Sequence, residues 1–124
     1  MKLTRQSSAD RQHVQRYGGG GFRVSGVDFK GSVIVLPRET ILWPVAAVDI
    51  LTVTDFAPML AHAKALDVCL LGCGAGMKPL PREVRAALKE AGLTVDPMDT
   101  VAACRTYNVL MGEGRAVAAA LIAV

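Results

Sequence analysis

No apolar run in this sequence is long enough to cross a membrane. Insertion needs roughly 18 or more consecutive apolar residues, and the longest candidate, Ala116 to Val124, falls short and follows Arg115. The segment Met1 to Asp10 has no apolar core, so it does not read as a secretory signal. Histidine is scarce: His13 and His62 are far apart, and no Cys/His set has zinc spacing. The three cysteines, Cys69, Cys73 and Cys104, are an odd number without an export signal, which argues against a disulfide framework. Cys69 and Cys73 fall in a strand and its exit, and four residues of strand span about 13 Å, too far for a direct bridge. No Ser-His-Asp set, paired catalytic carboxylates or G-x-S-x-G elbow is present. These absences leave no catalytic residue, metal or cofactor to assign.

Excess charge is also missing from most of the chain. The net charge is +3. Residues 1–16 hold Lys2, Arg5, Arg11 and Arg16 against Asp10, which accounts for all of it, and the rest balances at ten basic and ten acidic residues. A balanced body has no positive excess to drive nucleic-acid binding. The basic, polar segment 1–10 is expected to be a flexible leader.

What is present is a globular composition, 52% hydrophobic and 20% charged over 124 residues. That is one domain's worth of chain, expected over residues 11–124, and enough to bury a core without staples. The first third reads as a meander of short antiparallel strands. Val14 to Tyr17 precedes Gly18–Gly21, and Ser25-Gly26 separates Phe22 and Val24 from Val27 and Phe29. Ser32 to Leu36 and Ile41 to Val45 follow, the second carrying Trp43.

The period then changes. Thr54-Asp55 is expected to start a helix with Pro58 in its early turns. Val68 to Leu71 reads as a strand covered on both faces. After Pro79-Leu80-Pro81, Val84, Ala87, Leu88 and Ala91 recur at helical spacing opposite Arg82, Glu83, Arg85, Lys89 and Glu90, and Gly92 ends the helix. Leu93 to Val95 is the next strand, Thr100 to Met111 a third helix expected to be largely buried, and Arg115 to Val124 the final strand. This order implies an α/β fold of three layers: a central mixed sheet flanked by helices, with a small antiparallel β layer attached.

Two segments could carry chemistry. Gly72-Cys73-Gly74-Ala75-Gly76 leaves a buried strand. Gly72 and Gly74 fit the start of G-x-G-x-x-G, but Met77 holds the third glycine position and Pro79 after Lys78 breaks a phosphate-loop pattern. The glycines permit a sharp exit or rim a small polar pocket. The second segment holds Asp99, Thr100, Arg105, Thr106 and Asn108. Asp99 suits a helix N-cap. Arg105, on a buried helix, would need a carboxylate such as Asp96, Asp99 or Glu113, or a ligand. Cys104 beside Arg105 reads as a buried small residue or as a thiol of lowered pKa. Gly72, Gly74, Asp99, Thr100, Arg105, Thr106 and Asn108 are therefore the candidate ligand-binding residues, around a pocket between the glycine loop and the helix start.

Several motifs together carry a resemblance. They are Met98-Asp99-Thr100, the run Ala103 to Leu110, Glu113-Gly114-Arg115 and Val117 to Leu121, with Gly21-Phe22, Gly26, Gly31-Ser32, Leu36-Pro37, Leu71-Gly72-x-Gly74 and Pro79-Leu80-Pro81. Over about residues 12–124 the chain resembles a small family of unknown function named after a methanogen hypothetical protein. That family includes the mitochondrial complex I (NADH dehydrogenase) assembly factor three and an adipogenesis-associated homologue. The resemblance implies the three-layer fold and a role as an accessory or assembly protein. Its glycine loop commonly reads Gly-Thr-Gly, and here Cys73 stands in the middle. The mitochondrial members carry targeting extensions, so this chain is expected to be bacterial and cytoplasmic. The leading expectation is a non-enzymatic assembly factor linked to respiratory complex I, with protein partners. The alternatives are a small-molecule or anion-binding protein or enzyme built on the candidate pocket, and a homo-oligomer joined through the β meander.

Overall fold

The computed structural model describes residues 11–124, and the expected leader over residues 1–10 lies outside them. Strands β1 (Val14–Gly18), β2 (Gly21–Val24) and β3 (Val27–Lys30) form an antiparallel sheet in the order β1-β2-β3. The two-residue turn Ser25-Gly26, with φ of 46° and 84°, joins β2 to β3 and matches the twist of a hairpin. Cross-strand rows alternate between faces. Tyr17, Phe22 and Phe29 are partners in one row, packed towards the protein, and Arg16, Arg23 and Asp28 share the next.

The larger sheet holds β4 (Val33–Val35), β5 (Thr40–Leu42), β6 (Val68–Gly72), β7 (Val95–Met98) and β8 (Val117–Leu121). Its order is β5-β4-β8-β6-β7. The β4 strand runs antiparallel to β5 and β8, while β6 runs parallel to β8 and β7, so the sheet is mixed.

Side-chain alternation along these strands splits the core in two. Ile34, Cys69, Leu71, Ala118 and Ala120 face a layer made by helix α2 (Arg82–Glu90) and by the irregular segment that carries Trp43, Phe56 and Met59. Val33, Val35, Leu70, Val117, Ala119 and Leu121 face helix α3 (Thr100–Gly112) and the small sheet, meeting Ala103, Cys104, Tyr107, Phe22 and Val24. A sheet covered on both faces must be apolar in both registers. The sequence Val-Ala-Ala-Ala-Leu of β8 is that pattern, and every residue of it is buried. The expected three-layer α/β architecture is thus the observed one.

The strand read as Ile41 to Val45 spans Thr40–Leu42, which leaves Trp43 outside it, and three further local expectations differ. Where one helix was expected after Thr54-Asp55, there is a 3-10 turn, Val53–Phe56, then the single helical turn α1 (Ala57–Leu60), then another 3-10 turn, Ala63–Ala65. The start is Thr52, whose hydroxyl and N–H both contact the Asp55 carboxylate. The segment gains order by packing instead: the Trp43 indole Nε1 donates to the Asp55 carbonyl at 2.7 Å and its ring meets Phe56 edge-on. The strand read as Leu93 to Val95 begins at Val95 and runs on through Pro97. An edge strand tolerates proline because one side of it has no neighbour. The Met98 carbonyl faces β6, accepting from the Cys73 N–H at 2.8 Å, so by alternation Pro97 turns its missing donor outward.

The third difference concerns α3. Its Arg105 and Val109 are exposed, so the helix is half-buried and not largely buried. Ala103, Cys104 and Tyr107 form its inner stripe, at the spacing of one helix face.

Candidate functional site

The glycine loop and the start of α3 do meet, and they meet without a gap. The Thr100 hydroxyl accepts from the Gly74 N–H at 2.9 Å and donates to the Ile122 carbonyl at 2.7 Å. The Thr100 N–H donates to the Gly74 carbonyl at 2.9 Å, and the Ile122 N–H to the Gly72 carbonyl at 2.9 Å. One fully buried side chain therefore ties the ends of β6 and β8 to a helix start. Gly72 makes the approach possible. A Cβ there would lie 2.9 Å from the Thr100 hydroxyl oxygen and 3.0 Å from its Cα. Gly74 has φ of +97°, which L side chains rarely adopt. Asp99 caps α3, accepting from the Ala102 N–H at 2.8 Å.

Further along α3, Asn108 clamps β1 at both backbone groups of one residue. Its carbonyl accepts from the Val14 N–H at 3.0 Å and its amide donates to the Val14 carbonyl at 2.8 Å. The Tyr107 hydroxyl donates to the Gln12 carbonyl at 2.8 Å. These contacts fasten the small sheet to the helix. Burial pushes the Tyr107 hydroxyl pKa up, partly opposed by the Arg11 guanidinium.

Burial also acts on the thiols. It pushes Cys104 up to about 12, the opposite of activation by Arg105. Cys69 is pushed up to about 11 by burial and by the nearby Asp96 charge. At neutral pH both are protonated, and neither is a nucleophile. Cys73 is buried too, with its sulfur 3.1 Å from the Lys78 carbonyl. Arg105 points outward and forms no ion pair among the described residues with Asp96, Asp99 or Glu113, because exposure removes the need for one.

This pairing of a pinned glycine loop with an Asp-Thr helix start can be set beside known proteins. A family model described as "Protein of unknown function (DUF498/DUF598)" matches residues 14–122. The chain belongs to that family. An uncharacterized protein of Rhodobacter capsulatus is 35% identical over 109 residues, covering 88% of this chain and 82% of that protein. The human NADH dehydrogenase [ubiquinone] 1 alpha subcomplex assembly factor 3 is 28% identical over 122 residues, covering 98% of this chain. The chain spans 66% of that relative's length. Among solved structures, one described as an outer membrane protein from Bartonella henselae is 37% identical with a TM-score of 0.85, covering 94% of this chain and 98% of that one. A Bordetella pertussis protein described as a Mth938-like domain is 30% identical with a TM-score of 0.76, covering 98% and 92%. The family expected from the sequence is the family found.

Within this DUF498/DUF598 member, the structure brings Gly72, Gly74, Asp99 and Thr100 together and sets Arg105, Thr106 and Asn108 apart from them along α3. Thr100, Asp99 and Asn108 each make side-chain hydrogen bonds inside the protein. Concavities lie elsewhere. One, of about 600 Å3, runs along the small sheet by Arg16, Arg23 and Lys30. Another, of about 690 Å3, lies beside Leu42, Trp43 and Pro44. A third, of about 420 Å3, separates α2 from the β7 edge. Sequence reasoning placed Arg82, Glu83, Arg85, Lys89 and Glu90 together opposite the apolar stripe of this helix; the 3.6-residue period is the signal that groups Arg82, Arg85 and Lys89 within it, at positions i, i+3 and i+7. Among the described residues no helix is long and apolar enough to cross a membrane, and no cluster of three or more His, Cys, Asp or Glu could hold a metal ion.

Proposed function

We propose that this protein is a non-enzymatic accessory factor that acts by binding other proteins during the biogenesis of respiratory complex I. One observation carries the reading: relatives named as complex I assembly factors align with nearly the whole described fold, the human one over 98% of the chain. The site chemistry is consistent with it, because the Cys69 and Cys104 thiols are protonated and Thr100 and Asp99 make internal hydrogen bonds at the helix start. The reading includes a bacterial cytoplasmic location, from which a soluble factor would reach the membrane enzyme through its partners. The alternative, a pocket protein using the Gly72–Gly76 loop and the Asp99 helix start, would need Thr100 to release two internal hydrogen bonds before it could hold a ligand.

The test is capture of a tagged copy from native cells after mild crosslinking, read by mass spectrometry. Enrichment of NADH dehydrogenase subunits or their assembly proteins is the expected result. A preparation that enriches none of them refutes the reading. Sedimentation of the same preparation over a range of concentrations separates binding to other proteins from self-association through the β meander.

A further inference from the structure

The charges on α2 are sorted by side. At about 100° per residue, Arg82, Arg85 and Lys89 fall within about 60° of one another. Glu83 and Glu90 fall within about 20° of each other on the opposite flank. Val84 and Leu88 make the buried stripe between the two flanks. The basic flank overhangs the groove of about 420 Å3 between α2 and the β7 edge. Leu88, Leu93 and Val95, at 1%, 2% and 6% exposed, make its buried floor, the exposed Ala86 lines its wall, and no carboxylate lines it. Arg82, Arg85 and Lys89 are exposed, and none is in an ion pair among the described residues. The contrast with the small sheet is direct: there Arg23 meets both oxygens of Asp28 at 3.1 Å, and Arg16 lies 3.9 Å from the same carboxylate.

We infer that this groove is a docking site for an acidic amphipathic helix of a partner protein, an inference that rests on the accessory role proposed above. Three unneutralised cations at i, i+3 and i+7 span about 10 Å of helix. A helix laid alongside α2 presents carboxylates at the same spacing. Its apolar face would pack on Ala86 and on the aliphatic stems of the three cations, above the buried floor of the groove. The partner does not enter as an added strand, because Pro97 has no N–H to offer at the outer edge of β7. Charge complementarity of this kind sets which partner docks and how fast, with the apolar contact holding it.

The experiment is an NMR titration of the isotope-labelled protein with a synthetic helical peptide carrying glutamates at i, i+3 and i+7 and leucines on its adjoining face. The expected result is saturable shifts confined to α2 and β7, weakening as salt rises from about 0.05 to about 0.5 M. The triple variant Arg82→Glu, Arg85→Glu, Lys89→Glu should bind about tenfold or more weakly. A control of like sign on the small sheet, Arg16→Glu with Arg23→Glu, should bind as the wild type does. Shifts elsewhere, equal losses in both variants, or binding to phosphatidylglycerol vesicles in place of the peptide would each overturn the inference. The same triple variant, tagged and crosslinked in cells, separates this failure from that of the accessory role. If wild type and variant enrich the same complex I proteins equally, the groove is wrong and the role stands; if the wild type enriches none, the role fails.

Discussion

The junction around Thr100 and the flank of α2 are opposite solutions to where polar groups go. At the junction, a buried hydroxyl donates once and accepts once, and the neighbouring backbone groups pair across a gap closed by glycine. On the flank, three cations stand in water over a groove whose lining holds no carboxylate. A buried polar group must find its partner within the fold, whereas an exposed cation is left free to find one outside it. The motif that most resembles a ligand site is therefore a joint of the scaffold. The surface with unfilled interaction capacity is an ordinary amphipathic helix.

The contrast can be broken most sharply through the thiols on the buried side. With Cys104 at about 12 and an ordinary thiol at 9.0, the thiolate available at pH 8 is about a thousandfold below that of an exposed cysteine. A disulfide reagent should modify Cys69, Cys73 and Cys104 only in denaturant, and rapid labelling of the native protein would show the interior to be open. The raised values also fix the pH response. The folded state holds its thiol protons more tightly than the unfolded state, so this contribution to stability is complete below pH 9. It falls as pH rises towards 11 for Cys69 and 12 for Cys104. Urea titrations between pH 8 and 11 should show the decline.

The next effect is Thr100→Val, which keeps the shape and removes the hydroxyl. The Gly74 N–H and Ile122 carbonyl lose their shared partner, at a cost of about 2–4 kcal/mol measured by urea unfolding. Thr100→Ser should recover most of that loss; if it does not, the methyl contact matters more than the hydrogen bonds. Gly72→Ala should cost about 1–3 kcal/mol by the same measurement, since its Cβ would press on Thr100 and on Leu121 at 3.1 Å. At the small end, reversing Arg82, Arg85 and Lys89 together should cost no more than about 1.5 kcal/mol, about 0.5 for each site. A larger loss would mean that the flank helps to hold the fold together.

The layers were legible because they depend on local pattern. The apolar run Val68 to Leu71, the i, i+4 pair Val84 and Leu88, and the Ser25-Gly26 turn each declare themselves within a few residues. What the sequence hides is long-range or edge-dependent. Asn108 clamps Val14 across 94 positions, and nothing local marks it as a structural amide. Pro97 reads as a strand breaker until the strand is known to be an edge. Arg105 invited a buried ion pair because its neighbours are apolar, but Arg105 and Val109, four residues apart, share the helix face that points to solvent. The candidate site was legible only in part. The sequence identified the glycine loop and the helix start, but whether they enclose a space or close on each other depends on a distance of about 3 Å that no spacing encodes.

The strand β8 has a consequence for how the protein is made. It lies in the middle of the large sheet, between β4 and β6, yet it comes after every other described strand in the chain. A ribosome delivers residues 117–121 last among these elements. Until then β4 and β6 have no mutual partner, and their apolar edges stay open to chaperones or to one another's copies. Completion of the sheet is therefore a late, cooperative event, in which insertion of a single strand closes both cores at once.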